Sequence, residues 1–98
     1  MPDASKYFAV RRYTVGTTFP GTAITAPVDC TFIVIEQSDT SNDAAFRSDP
    51  DDGATEKTIP AGMELSIRGS KGAFVAGSTV GYVKAASGSG PIVVSFAL

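Results

Sequence analysis

The strongest constraint in this 98-residue chain is a period of two that recurs wherever the sequence is apolar. From Met63 to Arg68, Met63, Leu65 and Ile67 point one way, while Glu64, Ser66 and Arg68 point the other. That spacing belongs to a strand with one buried and one wet face, and it does not fit a helix. Just upstream, Pro60 has the fixed φ suited to the second position of a tight turn, and Gly62 stands where a type I turn favours glycine. The chain is therefore expected to turn at Pro60-Ala61 and then enter a strand.

The same grammar runs through the rest of the chain. Residues 6–15 hold Tyr7, Phe8, Val10, Tyr13 and Val15 among Lys6, Arg11 and Arg12; neither face is wholly apolar, which predicts an outer strand or an arm. Residues 16–27, with their prolines, glycines and threonines, are expected to form an extended loop with Phe19 and Ile24 as plugs. The apolar run Thr31–Glu36 predicts a central strand covered on both sides, with Cys30 at its entrance. Short strands follow at 44–47 and 55–59, separated by Ser48-Asp49-Pro50-Asp51-Asp52-Gly53, the clearest turn signal present. Strands at 79–85 and 92–98 close the chain, joined by a hairpin connection at Ser87-Gly88-Ser89-Gly90-Pro91.

Six to eight short strands, no window of helical period and no long repeat predict one all-β domain. Its form is a small sandwich or barrel of mostly antiparallel strands, with residues 1–27 as an N-terminal arm or edge strand and loop and residues 28–98 as the body. A chain this long supports a single core. Its 43% hydrophobic and 18% charged content is that of a globular protein.

Composition narrows the chemistry. There is no histidine, which removes the Ser-His-Asp triad, the Cys-His pair and His-ligated metals. Cys30 is the single cysteine, so neither an internal disulfide nor a cysteine zinc site is expected; it reads as a small core residue. A net charge of −2 gives no general attraction to nucleic acid or an anionic membrane. No apolar leader stands at the start and no run is long enough for a membrane helix, so synthesis in the cytoplasm without membrane insertion is expected.

Three features were candidates for chemistry. The aspartates at 39, 43, 49, 51 and 52 supply oxygen ligands of the kind calcium takes, but the spacing is not that of an EF-hand, and a solvated turn or a contact with a neighbouring chain is the expectation. Gly69-Ser70-Lys71-Gly72 lacks the spacing and the helix of a phosphate loop. Lys6, Arg11 and Arg12 interleaved with Tyr7, Phe8 and Tyr13 match a single-stranded nucleic-acid platform, a protein interface and an ordinary outer strand with solvated arginines; the acidic balance of the whole chain sets the first behind the other two. No catalytic residue, metal ligand or cofactor is predicted.

The step Ile59-Pro-Ala-Gly-Met-Glu-Leu65, followed by a glycine-rich approach to a last strand, resembles the layout of small tailed-phage virion proteins of the decoration (cement) or head-tail accessory type, over roughly residues 31–98. The resemblance implies a non-enzymatic structural protein of the virion that binds a phage shell as a homotrimer or larger oligomer, commonly through an extended N-terminal segment. Its partners would be copies of itself and the major capsid or another virion protein. The interface expected here is Tyr7, Phe8, Arg11, Arg12 and Tyr13 on one subunit against Asp49, Asp51 and Asp52 of another. The alternative is a carbohydrate- or receptor-binding β module of a tail or fibre, although three tyrosines and no tryptophan make a thin stacking surface.

Overall fold

A computed structural model of the protein describes residues 8–70, 72–85 and 91–98. The described strands are β1 Phe8–Thr14, β2 Thr22–Thr25, β3 Phe32–Gln37, β4 Ala44–Arg47, β5 Lys57–Ile59, β6 Glu64–Arg68, β7 Thr79–Ala85 and β8 Pro91–Ala97, with a 3-10 turn at Gly53–Thr55. They form two antiparallel four-stranded sheets. The first has the order β1-β8-β3-β6 and the second β2-β7-β4-β5. The all-β sandwich expected from the alternation is therefore present.

The pairs β1·β8, β2·β7, β3·β6 and β4·β5 are those of one long antiparallel hairpin rolled around a core, which is the jelly-roll connectivity. Among the described strands only β4 and β5 are both consecutive and paired. β7 and β8 lie in different sheets, so the hairpin expected between them is not formed; residues 86–90 of that connection lie outside the described residues.

The core sits between the sheets. Ile33, Ile35, Val94 and Phe96 enter it from the first sheet, and Ile24, Phe46, Ile59 and Val83 from the second. Each comes from one face of an alternating strand, so hydrophobic burial selects the register: a slip by one residue would turn a whole row to water. Gly81 lies beneath the Phe46 ring, where a Cβ would overlap that ring and stand 2.8 Å from the Arg47 carbonyl oxygen. Cys30 is buried just before β3, bridged to Phe74 through its backbone N–H at 2.9 Å. Burial, and then the nearby Asp29 charge, push its thiol pKa up, which keeps it protonated and unreactive.

Four local expectations are corrected. Residues 16–27 are not one loop: Thr22–Thr25 pair with β7 and bury Ile24. β3 is covered fully on one face only, because a sandwich has a second sheet on just one side; Phe32 and Val34 on the outer face are half-buried. The turn before β6 is type II, not type I. Met63 N–H donates to the Pro60 carbonyl at 3.0 Å, which makes Pro60 the first residue of the turn and Gly62, with φ +67°, the third. That position needs a positive φ, which glycine adopts without strain. Met63 consequently closes the turn and does not join the core row, and it is 61% exposed.

The crossover from β5 to β6 is fastened by Gln37, the buried polar side chain of the described core. Its Nε2 donates to the carbonyls of Ile59 and Pro60, each at 2.7 Å. Asp43 Oδ1 accepts from Ala61 N–H at 2.9 Å, and the Asp39 carbonyl accepts from Gly62 N–H at 2.7 Å.

Candidate docking surface

The outer face of the first sheet is set by pairing. Val10, Ser95, Val34 and Ser66 stand in one row across β1, β8, β3 and β6. Arg12, Val93, Glu36 and Glu64 form the next row on one side. Ala97, Phe32 and Arg68 form the row on the other. The middle row alternates valine and serine, Val93, Phe32 and Ala97 are half-buried beside it, Val10 is 45% exposed, and the charges Arg12, Glu36, Glu64 and Arg68 lie in the two flanking rows. The Arg68 guanidinium lies 4.8 Å above the Phe32 ring, where cation–π attraction holds it against the sheet.

The two edges of this sheet differ. Between β3 and β6, Gly69 N–H donates to Thr31 O at 2.7 Å and Gln37 N–H donates to Met63 O at 3.3 Å. Hydrogen-bonded pairs in an antiparallel ladder recur every second residue, so Leu65·Ile35 and Ile67·Ile33 are also bonded pairs. The backbone N–H and C=O of Glu64, Ser66 and Arg68 then face away from β3, to the open side. The same parity carried through β3 and β8 turns the backbone groups of Val10, Arg12 and Thr14 to the open side of β1.

β1 is guarded. Arg11 Nη1 donates to Val10 O at 3.0 Å, and the Thr22 hydroxyl donates to Thr14 O at 3.2 Å. Charged side chains and local caps of this kind keep an edge from pairing with other chains. β6 carries charges as well, Glu64 and Arg68, but among the described residues no side chain caps its outward carbonyls. Beside it, where the three-residue β5 stops short, a groove of about 380 Å³ runs over Leu65, Ile67 and Phe46 and is rimmed by Lys57, Ser66 and Arg68. Leu65 and Ile67 point inward but remain half-exposed on its floor.

The residues singled out from sequence fall in two places. Tyr7 lies outside the described residues, and Phe8 begins β1 opposite Ala97. Arg11 and Arg12 are exposed on β1, whereas Tyr13 packs against the core with its hydroxyl 3.5 Å from Thr25 O. Asp49, Asp51 and Asp52 lie in the β4–β5 connection. There Asp49 Oδ1 accepts from Asp51 N–H at 3.0 Å and Asp52 Oδ1 from Ala54 N–H at 2.9 Å, so both carboxylates cap the turn. Among the described residues no group of three or more acidic or cysteine side chains is placed to hold a metal ion. Arg47 of β4 joins this loop to the strands, with its Nη2 2.8 Å from Glu56 Oε1 and its guanidinium 4.1 Å from the centre of the Phe19 ring.

β1 edges the first sheet and packs at β2, while the acidic connection lies by β5 at the far edge of the second sheet. One chain therefore does not bring Arg11 and Arg12 to Asp49, Asp51 and Asp52. The residues that sequence reasoning passed over are Glu64, Ser66 and Arg68, read only as a wet face. The available signal was their order, an acid, a hydroxyl and a base at every second position. No protein-family model, curated protein or solved structure matches the chain.

Proposed function

We propose that the protein is a structural, non-enzymatic subunit of decoration or cement type, which binds a tailed-phage shell as a homo-oligomer. The observation that carries this reading is the first sheet: an outer face of valine, phenylalanine, alanine and serine flanked by charges, between one edge capped by side-chain hydrogen bonds and one without such caps. Such a surface suits attachment to other protein through strand edges and shape, with many modest contacts summing by multivalency. The jelly roll is used by viral capsid domains and by lectins alike, so the surface and not the fold separates the two readings. Against sugar binding stands Tyr13, which a stacking platform would need exposed and which packs on the core.

In this reading Arg11 and Arg12 of one subunit meet Asp49, Asp51 and Asp52 of the next, since their separation within a chain suits a head-to-tail contact. The test is co-sedimentation with shells assembled from a tailed-phage major capsid protein. The wild type is expected to pellet with the shells and the double variant Arg11→Glu, Arg12→Glu to bind them more weakly while keeping its fold. Absence of shell binding by the wild type, or glycan binding by the isolated protein, overturns the proposal.

A further inference from the structure

The geometry points to a second copy of this chain as the occupant of the β6 edge: two β6 strands pair antiparallel about a two-fold axis through Ser66, joining two four-stranded sheets into one. The inference rests on the assembly reading above and gives it a register.

One feature of β6 allows that register and two select it. The first is backbone parity. Glu64, Ser66 and Arg68 carry the outward N–H and C=O groups, and antiparallel pairing centred on Ser66 sets Ser66 against Ser66, Glu64 against Arg68 and Arg68 against Glu64 of the second copy. All are therefore bonded pairs, each exchanging both N–H···O=C bonds. A centre at Leu65 or Ile67 would also give bonded pairs, Glu64 with Ser66 or Ser66 with Arg68, so parity allows the Ser66 centre and the charges choose it, since only that centre sets Glu64 against Arg68.

The second feature is charge. Glu64 stands directly opposite Glu36 on β3, a non-bonded pair whose side chains are close and of like sign. A second β6 brings Arg68 to the other side of Glu64, twice by symmetry. Arg68 is already held over Phe32 on the outer face, so it meets the incoming carboxylate with little further ordering. The third feature is the groove. Leu65 and Ile67, half-exposed on its floor, fall opposite Ile67 and Leu65 of the second copy, where each covers the other's apolar surface. The self-complementary order Glu-Leu-Ser-Ile-Arg is what an isologous contact requires.

Sedimentation velocity on the full chain tests the pairing. The wild type is expected to show a concentration-dependent step between one copy and two, or between oligomers built from pairs. Arg68→Glu and Glu64→Arg alone each place like charges across the axis and are expected to weaken pairing about tenfold or more. The exchange Glu64→Arg with Arg68→Glu restores opposite charges and is expected to recover most of it. Ser66→Cys gives a readout that does not depend on the charge variants folding. Across a bonded antiparallel pair the two Cα atoms lie about 5.5 Å apart, within disulfide range, so mild oxidation is expected to yield a covalent dimer. Cys30 is buried and does not compete. A wild type that stays monomeric into the millimolar range, an exchange variant no better than the single reversals, or Ser66→Cys that stays uncrosslinked each overturns the inference. Shell binding without edge pairing refutes this inference alone; edge pairing without shell binding refutes the decoration role alone.

Discussion

Gln37 offers the sharpest test of how the sandwich is held together. Its Nε2 bonds two carbonyls at 2.7 Å in the crossover that delivers β6 to its edge position. Gln37→Met keeps the length and roughly the volume of the side chain but removes both donors. Pro60 O retains the Met63 N–H and Ile59 O retains its place opposite Ala44 in the β4·β5 ladder, so the loss is that of the two side-chain hydrogen bonds themselves. A hydrogen bond of this kind contributes about 0.5–1.5 kcal/mol net, so losing two is expected to cost about 2 kcal/mol. At a urea slope of about 1–3 kcal/mol per molar for a small domain, the unfolding midpoint should fall by roughly 1 M with the slope unchanged. Gln37→Glu makes the argument directional. At neutral pH a carboxylate would face two carbonyl oxygens, which is worse than methionine, whereas at low pH the protonated acid regains one donor. The stability of Gln37→Glu relative to Gln37→Met should therefore rise as pH falls. Equal stability of wild type and Gln37→Met, or a Glu variant that ignores pH, would refute the assignment of the crossover to these bonds.

Two further outcomes are expected. Gly81→Ala forces the Phe46 ring from its site under β7 and should cost about 1–3 kcal/mol by overpacking, read from chemical unfolding; a neutral effect would mean that the ring has room to move. Asp39 accepts from Ser41 N–H at 2.8 Å and from the Asn42 side chain and backbone, each at 3.2 Å; these bonds, the Ser41 one foremost, hold its carboxyl below the ordinary aspartate range. Because the folded-state pKa is lowered, the stabilisation is complete above the ordinary range and is lost as pH falls through the lowered midpoint. Comparing wild type with Asp39→Ala across acid pH should show a gap that closes below that midpoint; a gap that widens on acidification contradicts this sign.

The candidate surface was only partly legible beforehand. β1 was marked by its mixture of arginine and aromatic side chains, and Arg11 and Arg12 are exposed there. Tyr13 belongs to the core because its position in the alternation matches Ala9 and Val15, and that parity outweighed its polar tip. The acidic connection was found as a turn, and its aspartates do what short acidic side chains do in turns, accepting backbone N–H groups. The β6 edge was out of reach because Glu64, Ser66 and Arg68 look like any solvent face until the neighbours of the strand are known.

By itself the amino-acid sequence determined the all-β class, the inward row Ile92-Val94-Phe96, and the positions of the turns at Pro50 and Pro60. These follow from local rules, a two-residue side-chain period and the backbone preferences of proline, glycine and aspartate. Only the tertiary structure decided which strands lie side by side, that β7 and β8 part company into different sheets, and that β6 is left with a bare edge. Backbone N–H and C=O groups are the same at nearly every residue, so alternation tells which way a side chain points but not which strand bonds to which. That choice was made by closing one core between two sheets, where burying Ile24, Phe46 and Val83 against Ile35, Val94 and Phe96 excludes the hairpin order that chain proximity alone would favour.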